Sequence, residues 1–221
     1  MRYDPSRPAG RLLLTPEDKE APARTCRLRV LGLGERAEPA LDAFARRLAE
    51  LAGAPYAMVN FVGEEQQFFA GLHARPPGAG HDAMDIGSGT GSGTTGGTGP
   101  RPGGDTARRD ADLGRSAPLS LGPGRHMARE YGFCPHVVVR RKALVLEDVR
   151  DYPRFAGNPV VDEYGIRSYL GAPLLDRTGI ALGTVCVTDV EPRPWGRSGL
   201  DTIKAMAAEL VEQIELREVG L

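Results

Sequence analysis

A thiol and an imidazole two positions apart form the most reactive pairing in the sequence. They lie in the block Gly132-Phe133-Cys134-Pro135-His136. A thiol becomes a nucleophile when a nearby cation lowers its pKa from about 8.5. On an extended chain, positions i and i+2 share a face, whereas on a helix they diverge by about 200°. Pro135 pushes the residue before it away from α geometry, which favours the extended arrangement. The competing reading is a small free thiol packed under a sheet, the common fate of cysteine. His136 could serve as a general base, or as a metal or haem ligand, through a neutral imidazole nitrogen. His73, His81 and His126 form no cluster with it, so a hydrogen-bonded structural histidine is preferred and no metal site is expected.

A second set of polar residues follows. Asp148 ends a strand-like run, Arg154 lies in a turn-rich segment, and Arg167 and Tyr169 flank the start of another strand. Loops and strand ends above a sheet commonly collect binding groups. Arg167 and Tyr169, at i and i+2, point to one face of an extended chain. An arginine placed there suits a carboxylate, nitrate or phosphate bidentately, and equally suits a plain ion pair with Asp148 that pins the loop. Tyr152 and Phe155 could wall the site or belong to the core. The candidate ligand-binding residues are thus Phe133, Cys134, His136, Asp148, Tyr152, Arg154, Arg167 and Tyr169.

The elements that must position them are legible from pattern. Glu38–Gly53 places Leu41, Phe44, Ala45, Leu48, Leu51 and Ala52 at helical spacing and ends on glycine. APYAMVNFV and QQFFAGLH read as a hairpin around Gly63, Glu64 and Glu65. HMAREYGF reads as a short helix, and VVVRRKALVLEDV as a strand or strand pair around a basic turn. Pro153 and Pro159 limit RDYPRFAGNPVVDEYG to short pieces. SYLGAPLLD and ALGTVCVTD form a second hairpin around Arg177-Thr178-Gly179. Ser198 is placed to cap a final helix reaching about Arg217, with Leu200, Ile203, Leu210 and Ile214 on one face. This order gives an α+β domain with an antiparallel sheet and helices gathered on one side.

Between Pro76 and Arg125 the character changes: these residues hold 14 of the 29 glycines and 6 of the 18 prolines, with no aromatics. Such a stretch buries too little apolar surface to offset its ordering entropy, so it reads as a flexible insertion. The flexible reading is preferred to a phosphate-cradling loop, because no GxxxxGK[ST] occurs and no apolar strand leads in.

Across the whole chain of 221 residues, hydrophobic residues make up 41% and charged ones 26%, with a formal net charge of −1. That balance gives no electrostatic reason to expect nucleic acid or an anionic membrane. Three cysteines are too few for a disulfide framework or a zinc cluster and suggest reduced thiols in a cytoplasmic protein. The N-terminus lacks a signal-peptide core, and no stretch approaches the roughly 18 apolar residues of a membrane span.

With these parts in hand, the chain resembles the GAF family of sensory domains. The resemblance covers roughly Arg27–Arg217 apart from the insertion, leaving residues 1–26 as an N-terminal extension and 218–221 as a tail. It rests on RLRVLGLGERAEPALDAFARRLAELAGAPYAMVNFV, YGFCPHVVV, LVLEDVRDYPRFAGNPVV, GIRSYLGAPL and LGTVCVTD, in that order. The resemblance implies a PAS-like central antiparallel sheet with helices on one face and a ligand pocket beneath loops on the other. GAF domains usually serve kinases, cyclases, phosphatases or activators as their sensing part. With only four residues after Arg217, a free-standing module, or one acting on a separate signalling protein, is expected.

One branch of the family bears on Cys134. The free methionine-R-sulfoxide reductases carry a catalytic cysteine in a similar Gly-x-Cys-Gly block, onto which Cys134 would map, with Leu146-Glu147-Asp148-Val149 matching the segment that follows. Those enzymes carry further cysteines in the preceding loop. Here Pro76–Arg125 has none, and Cys26 and Cys186 lie elsewhere in the chain. Bilin-binding GAF domains have histidine directly after their chromophore cysteine, whereas Pro135 intervenes here. No cofactor is expected. The implied function is non-catalytic: a module that binds an unknown small molecule and forms a homodimer through its terminal helices, where Val211 and Leu216 add a second apolar strip. The alternatives are a thiol enzyme using Cys134 and a dimeric scaffold with no ligand.

Overall fold

The protein is represented by a computed structural model that describes residues 15–75 and 125–220. The expected insertion, apart from Arg125, lies outside the described residues.

Strands β1 (Tyr56–Val62) and β2 (Gln66–Ala74) form the first expected hairpin. β5 (Ser168–Leu175) and β6 (Ala181–Asp189) form the second. With β3 (His126–Ala128) and β4 (Leu144–Leu146) they make a six-stranded sheet in the order β3-β2-β1-β6-β5-β4. Every neighbouring pair is antiparallel, and the chain is α+β. β6 is therefore central, inserted between β1 and β5 although it is the last strand made.

Two long helices cover one face. α2 (Pro39–Ala52) buries Leu41, Phe44, Ala45 and Leu48, and α6 (Gly196–Glu218) buries Ile203, Met206, Ala207, Leu210 and Ile214. They close over Ala57, Val59, Phe61, Leu170, Ala172, Val185 and Val187, the inward residues of the central strands. α2 approaches β2 so closely that a β-carbon at Gly71 would overlap the Leu41 carbonyl, which explains the glycine. α1 (Ala21–Val30) carries residues on both sides of Arg27 in one helix. Its fully buried Arg24 donates from Nε to the Val62 carbonyl at 2.6 Å and pairs with Asp18.

The opposite face is roofed by short pieces: α3 (Cys134–Arg140), a 3-10 turn at Val149–Asp151, α4 (Pro153–Ala156) and α5 (Pro159–Glu163). The prolines of the last two segments sit in the first turns of their helices, where a missing N–H costs nothing.

Three local expectations are corrected. His126–Ala128, expected as helix, is a strand, because it pairs with Gln66–Phe68 and satisfies the open edge of β2. Val137–Val139, expected as strand, belong to α3. Pro135 opens that helix, and Val137 and Val138 are buried, so packing overrides the β preference of valine. Ser198 does not cap α6: the helix begins at Gly196, whose N–H donates to the Glu147 carboxylate at 3.1 Å. Among the described residues no helix is long and apolar enough to cross a membrane.

Candidate functional site

Period-two alternation gives each central strand two different faces. On β6, Val185 and Val187 point to the long helices while Thr184, Cys186 and Thr188 point the other way. On β1, Asn60 stands opposite Thr184 and Met58 opposite Cys186, so their side chains share that second face. On β5, Tyr169 stands opposite Thr188 and Gly171 opposite Cys186. A polar strip thus runs across the middle of an otherwise apolar face.

Tyr169 is fully buried and lies along its own strand. A β-carbon at Gly171 would overlap its phenol, so that glycine lets the ring lie flat above β5 with its hydroxyl toward Cys186. From the roof, Phe133 meets the Tyr169 ring at 5.1 Å and the Phe155 ring edge-on at 5.8 Å. This stacking sets down the first residue of α3, Cys134, beside the strip. Its Sγ is 3.5 Å from the Tyr169 hydroxyl and 3.7 Å from Cys186 Sγ.

The two thiols share one environment and divide its effects. A hydrogen bond from Cys186 lowers the pKa of Cys134, burial opposes that shift, and the Tyr169 hydroxyl adds to it. Cys186, as donor in that bond and equally buried, is raised. Burial first, and then the neighbouring sulfurs, raise Tyr169, so its hydroxyl stays protonated as a donor.

The roof above is tied down by two amides. Gln67 accepts from Asn60 Nδ2 at 2.8 Å and donates to the Tyr131 carbonyl at 2.7 Å and the Ala128 carbonyl at 3.0 Å. Asn158 bonds both backbone groups of Gly132, each at 2.9 Å, and caps α5 through the Val160 N–H. Beneath the Tyr131–Phe133 loop and α5 remains a cavity of about 40 Å³, walled by Met58, Phe69, Tyr169, Cys134, Cys186 and Thr188 among others. None of its lining residues is charged. The Thr188 hydroxyl on its wall is buried without a hydrogen-bond partner, as are Asn60 Oδ1 and Thr184 Oγ1.

Of the eight candidates, the structure brings together Phe133, Cys134 and Tyr169. His136 does not join Cys134. The extended geometry expected for Cys134-Pro135-His136 is replaced by a helix, and the two side chains diverge. The imidazole is buried edge-on against Phe155 at 5.0 Å, with Nδ1 unpartnered. Burial, helped by the charges of Arg154 and Arg140, lowers its pKa to about 4, so it is neutral near pH 7. Asp148 and Arg167 engage each other and do not line the cavity. Arg167 Nε donates to Asp148 Oδ1 at 3.0 Å, Nη2 takes the second oxygen, and the Asp148 pKa falls in consequence. Tyr152 is exposed, and the exposed Arg154 extends over the Phe155 ring at 6.0 Å. No group of three or more potential metal ligands occurs among the described residues.

Asn60, Gln67, Asn158, Cys186 and Thr188 were not among the candidates. The alternation in TVCVTD did carry a signal, since it puts Thr184, Cys186 and Thr188 on one face. Cys186 does not lie apart from Cys134: the placement of β6 beside β5 closes a separation of 52 residues.

Comparison with known proteins agrees with the fold. The GAF domain model matches residues 36–214. A 70-residue stretch is 40% identical to part of a cyclic di-GMP phosphodiesterase of Pseudomonas aeruginosa, covering 31% of this chain; the chain spans only 12% of that relative's length. Among solved structures, the GAF domain of a phosphoenolpyruvate-protein phosphotransferase from Coxiella burnetii superposes with a TM-score of 0.52 at 14% identity, covering 91% of this chain and 95% of that one. A free methionine-R-sulfoxide reductase from Neisseria meningitidis, in complex with its substrate, superposes with a TM-score of 0.51 at 12% identity, covering 93% and 96%. At such identities these structures speak for the fold alone. The chain belongs to the GAF domain family.

Proposed function

We propose that the chain is a non-catalytic sensory module that binds a small molecule beneath the Tyr131–Phe133 loop and α5. The observation that carries this reading is the buried, unpartnered Thr188 hydroxyl on the wall of the cavity. A buried polar group without a partner costs about 1–3 kcal/mol, so its retention argues for an occupant that satisfies it.

A cavity of about 40 Å³ holds only a few atoms, whereas organic ligands occupy roughly 300 Å³ or more. A larger ligand therefore lifts the roof, which the Gln67 and Asn158 amides hold by a handful of hydrogen bonds. A ligand that uses Arg167 must also open its pair with Asp148. Binding then shifts the population between closed and lifted roofs. Similarity to a stretch of a cyclic di-GMP phosphodiesterase supports a role in signalling, read by a separate partner or by a second copy docked along α6, where Leu216 is exposed.

Native mass spectrometry of the freshly purified chain, compared with its denatured mass, tests the reading. A non-covalent adduct that Thr188→Val weakens is the expected result, and the same spectrum reports a dimer. A bare mass, together with no thermal stabilisation by any member of a small-metabolite panel, overturns it. Turnover of free methionine sulfoxide abolished by Cys134→Ser would instead establish the thiol enzyme.

A further inference from the structure

We infer that Cys134 and Cys186 form a dithiol that small, uncharged hydroperoxides convert into an intramolecular disulfide. The site shares the cavity of the proposed sensory module but does not need any other ligand to bind there.

Three observations converge. The two sulfurs lie 3.7 Å apart across the contact between α3 and β6, so reaching the S–S length of about 2.0 Å closes a gap of about 1.7 Å. Both side chains line the same cavity, and about 40 Å³ accommodates a molecule the size of hydrogen peroxide. Apart from the Cys134 sulfur itself the walls carry no ionisable acid or base of ordinary charge, so they admit a neutral oxidant and give an anionic one such as glutathione disulfide neither room nor counter-charge. Cys26, by contrast, is exposed and distant in chain and surroundings, an internal standard for ordinary surface oxidation.

The chemistry balances in two steps. The Cys134 sulfur, the member of the pair more easily deprotonated, attacks one oxygen of the hydroperoxide. The O–O bond breaks, the leaving oxygen takes a proton and departs as water or an alcohol, and Cys134 becomes a sulfenic acid. The Tyr169 hydroxyl, 3.5 Å from that sulfur, is placed to donate a hydrogen bond during the attack. Cys186 then attacks the Cys134 sulfur. The S–O bond breaks, hydroxide leaves with the Cys186 proton as water, and the S–S bond forms. The protein loses two protons and two electrons, and the hydroperoxide gains them.

The reduced full-length chain is treated with hydrogen peroxide, alkylated, and read by intact mass and by non-reducing peptide mapping. The count of alkylatable thiols should fall from three to one, with a mapped Cys134–Cys186 bridge that dithiothreitol reverses. Glutathione disulfide should modify Cys26 alone. In Cys186→Ser, oxidation should stop at a dimedone-trappable sulfenic acid on Cys134. If that variant fails to fold, the mapped bridge in the unaltered chain still decides. Loss of Cys26 only, glutathionylation of Cys134, or a bridge that forms only in denaturant overturns the inference. Native mass spectrometry on the same sample separates the two proposals: an adduct without a bridge retains the sensory reading alone, and a bridge without an adduct retains the dithiol alone.

Discussion

The two faces of the sheet are cut from the same strands and differ in one respect. Toward α2 and α6, β1 and β6 offer Ala57, Val59, Phe61, Val185 and Val187, every one apolar and at most 1% exposed. Toward α3 and α5 the alternate residues are Met58, Asn60, Thr184, Cys186 and Thr188, and they too are buried. The first face follows the rule for a packed core. The second breaks it, and three of its polar atoms lie without partners. Departures from a local rule that are not repaired nearby tend to mark function. One side of the sheet therefore follows the packing rule of a core, and the departure on the other side supports the site proposed there.

The largest effect should come from the first face. Phe61→Ala removes a ring that is 1% exposed beneath α2 and α1 and leaves a cavity, at a cost of about 3–5 kcal/mol. Urea denaturation followed by circular dichroism measures it, and a shift below about 1 kcal/mol would contradict the division of labour between the faces.

A smaller effect distinguishes the second face by pH. His136, buried against Phe155 in the roof, releases its proton near pH 4 when folded and near 6.5 when unfolded. Between those values unfolding takes up a proton, so stability rises with pH through the window. It is lost as pH falls from about 6.5 to about 4, by about 3 kcal/mol in total. Carboxylates lowered by ion pairing, such as Asp148, act in the same direction at lower pH. The test is therefore a difference: between pH 6.5 and 4, His136→Gln should lose about 3 kcal/mol less than the unaltered chain. Equal losses would mean that this imidazole is not held neutral by its burial.

How much of this was legible in the sequence also divides by face. Helices α2 and α6 announced themselves by periodicity, and both central hairpins by their turn residues, because each is a local pattern answering to a single burial direction. The roof was misread where local preference and packing disagree. Val137–Val139 favour strand in isolation, yet Pro135 at a first turn and burial of the valines make a helix, and with that helix the Cys134–His136 pairing disappears. The partner of Cys134 was hidden for another reason. No spacing rule reports that β6 lies between β1 and β5, so a thiol 52 residues away becomes a neighbour only through topology. The resemblance to GAF domains supplied the architecture but not the contents of its pocket.

The smallest predicted effect bears most directly on the comparison. Thr188→Val keeps the shape of a buried residue on β6 and removes a hydroxyl that has no hydrogen-bond partner. If the polar strip belonged to the packing of the sheet, the change would destabilise the protein like any lost interaction. If the hydroxyl serves an occupant of the cavity, the unliganded chain sheds a desolvation penalty and should gain about 1 kcal/mol in urea denaturation. The same variant should hold the native-mass adduct less tightly, by roughly fivefold to tenfold for one hydrogen bond. Stability and binding would then move in opposite directions at one residue, the signature of a site maintained against the interest of the fold. A variant that lost both together would place Thr188 with Val185 and Val187, as core.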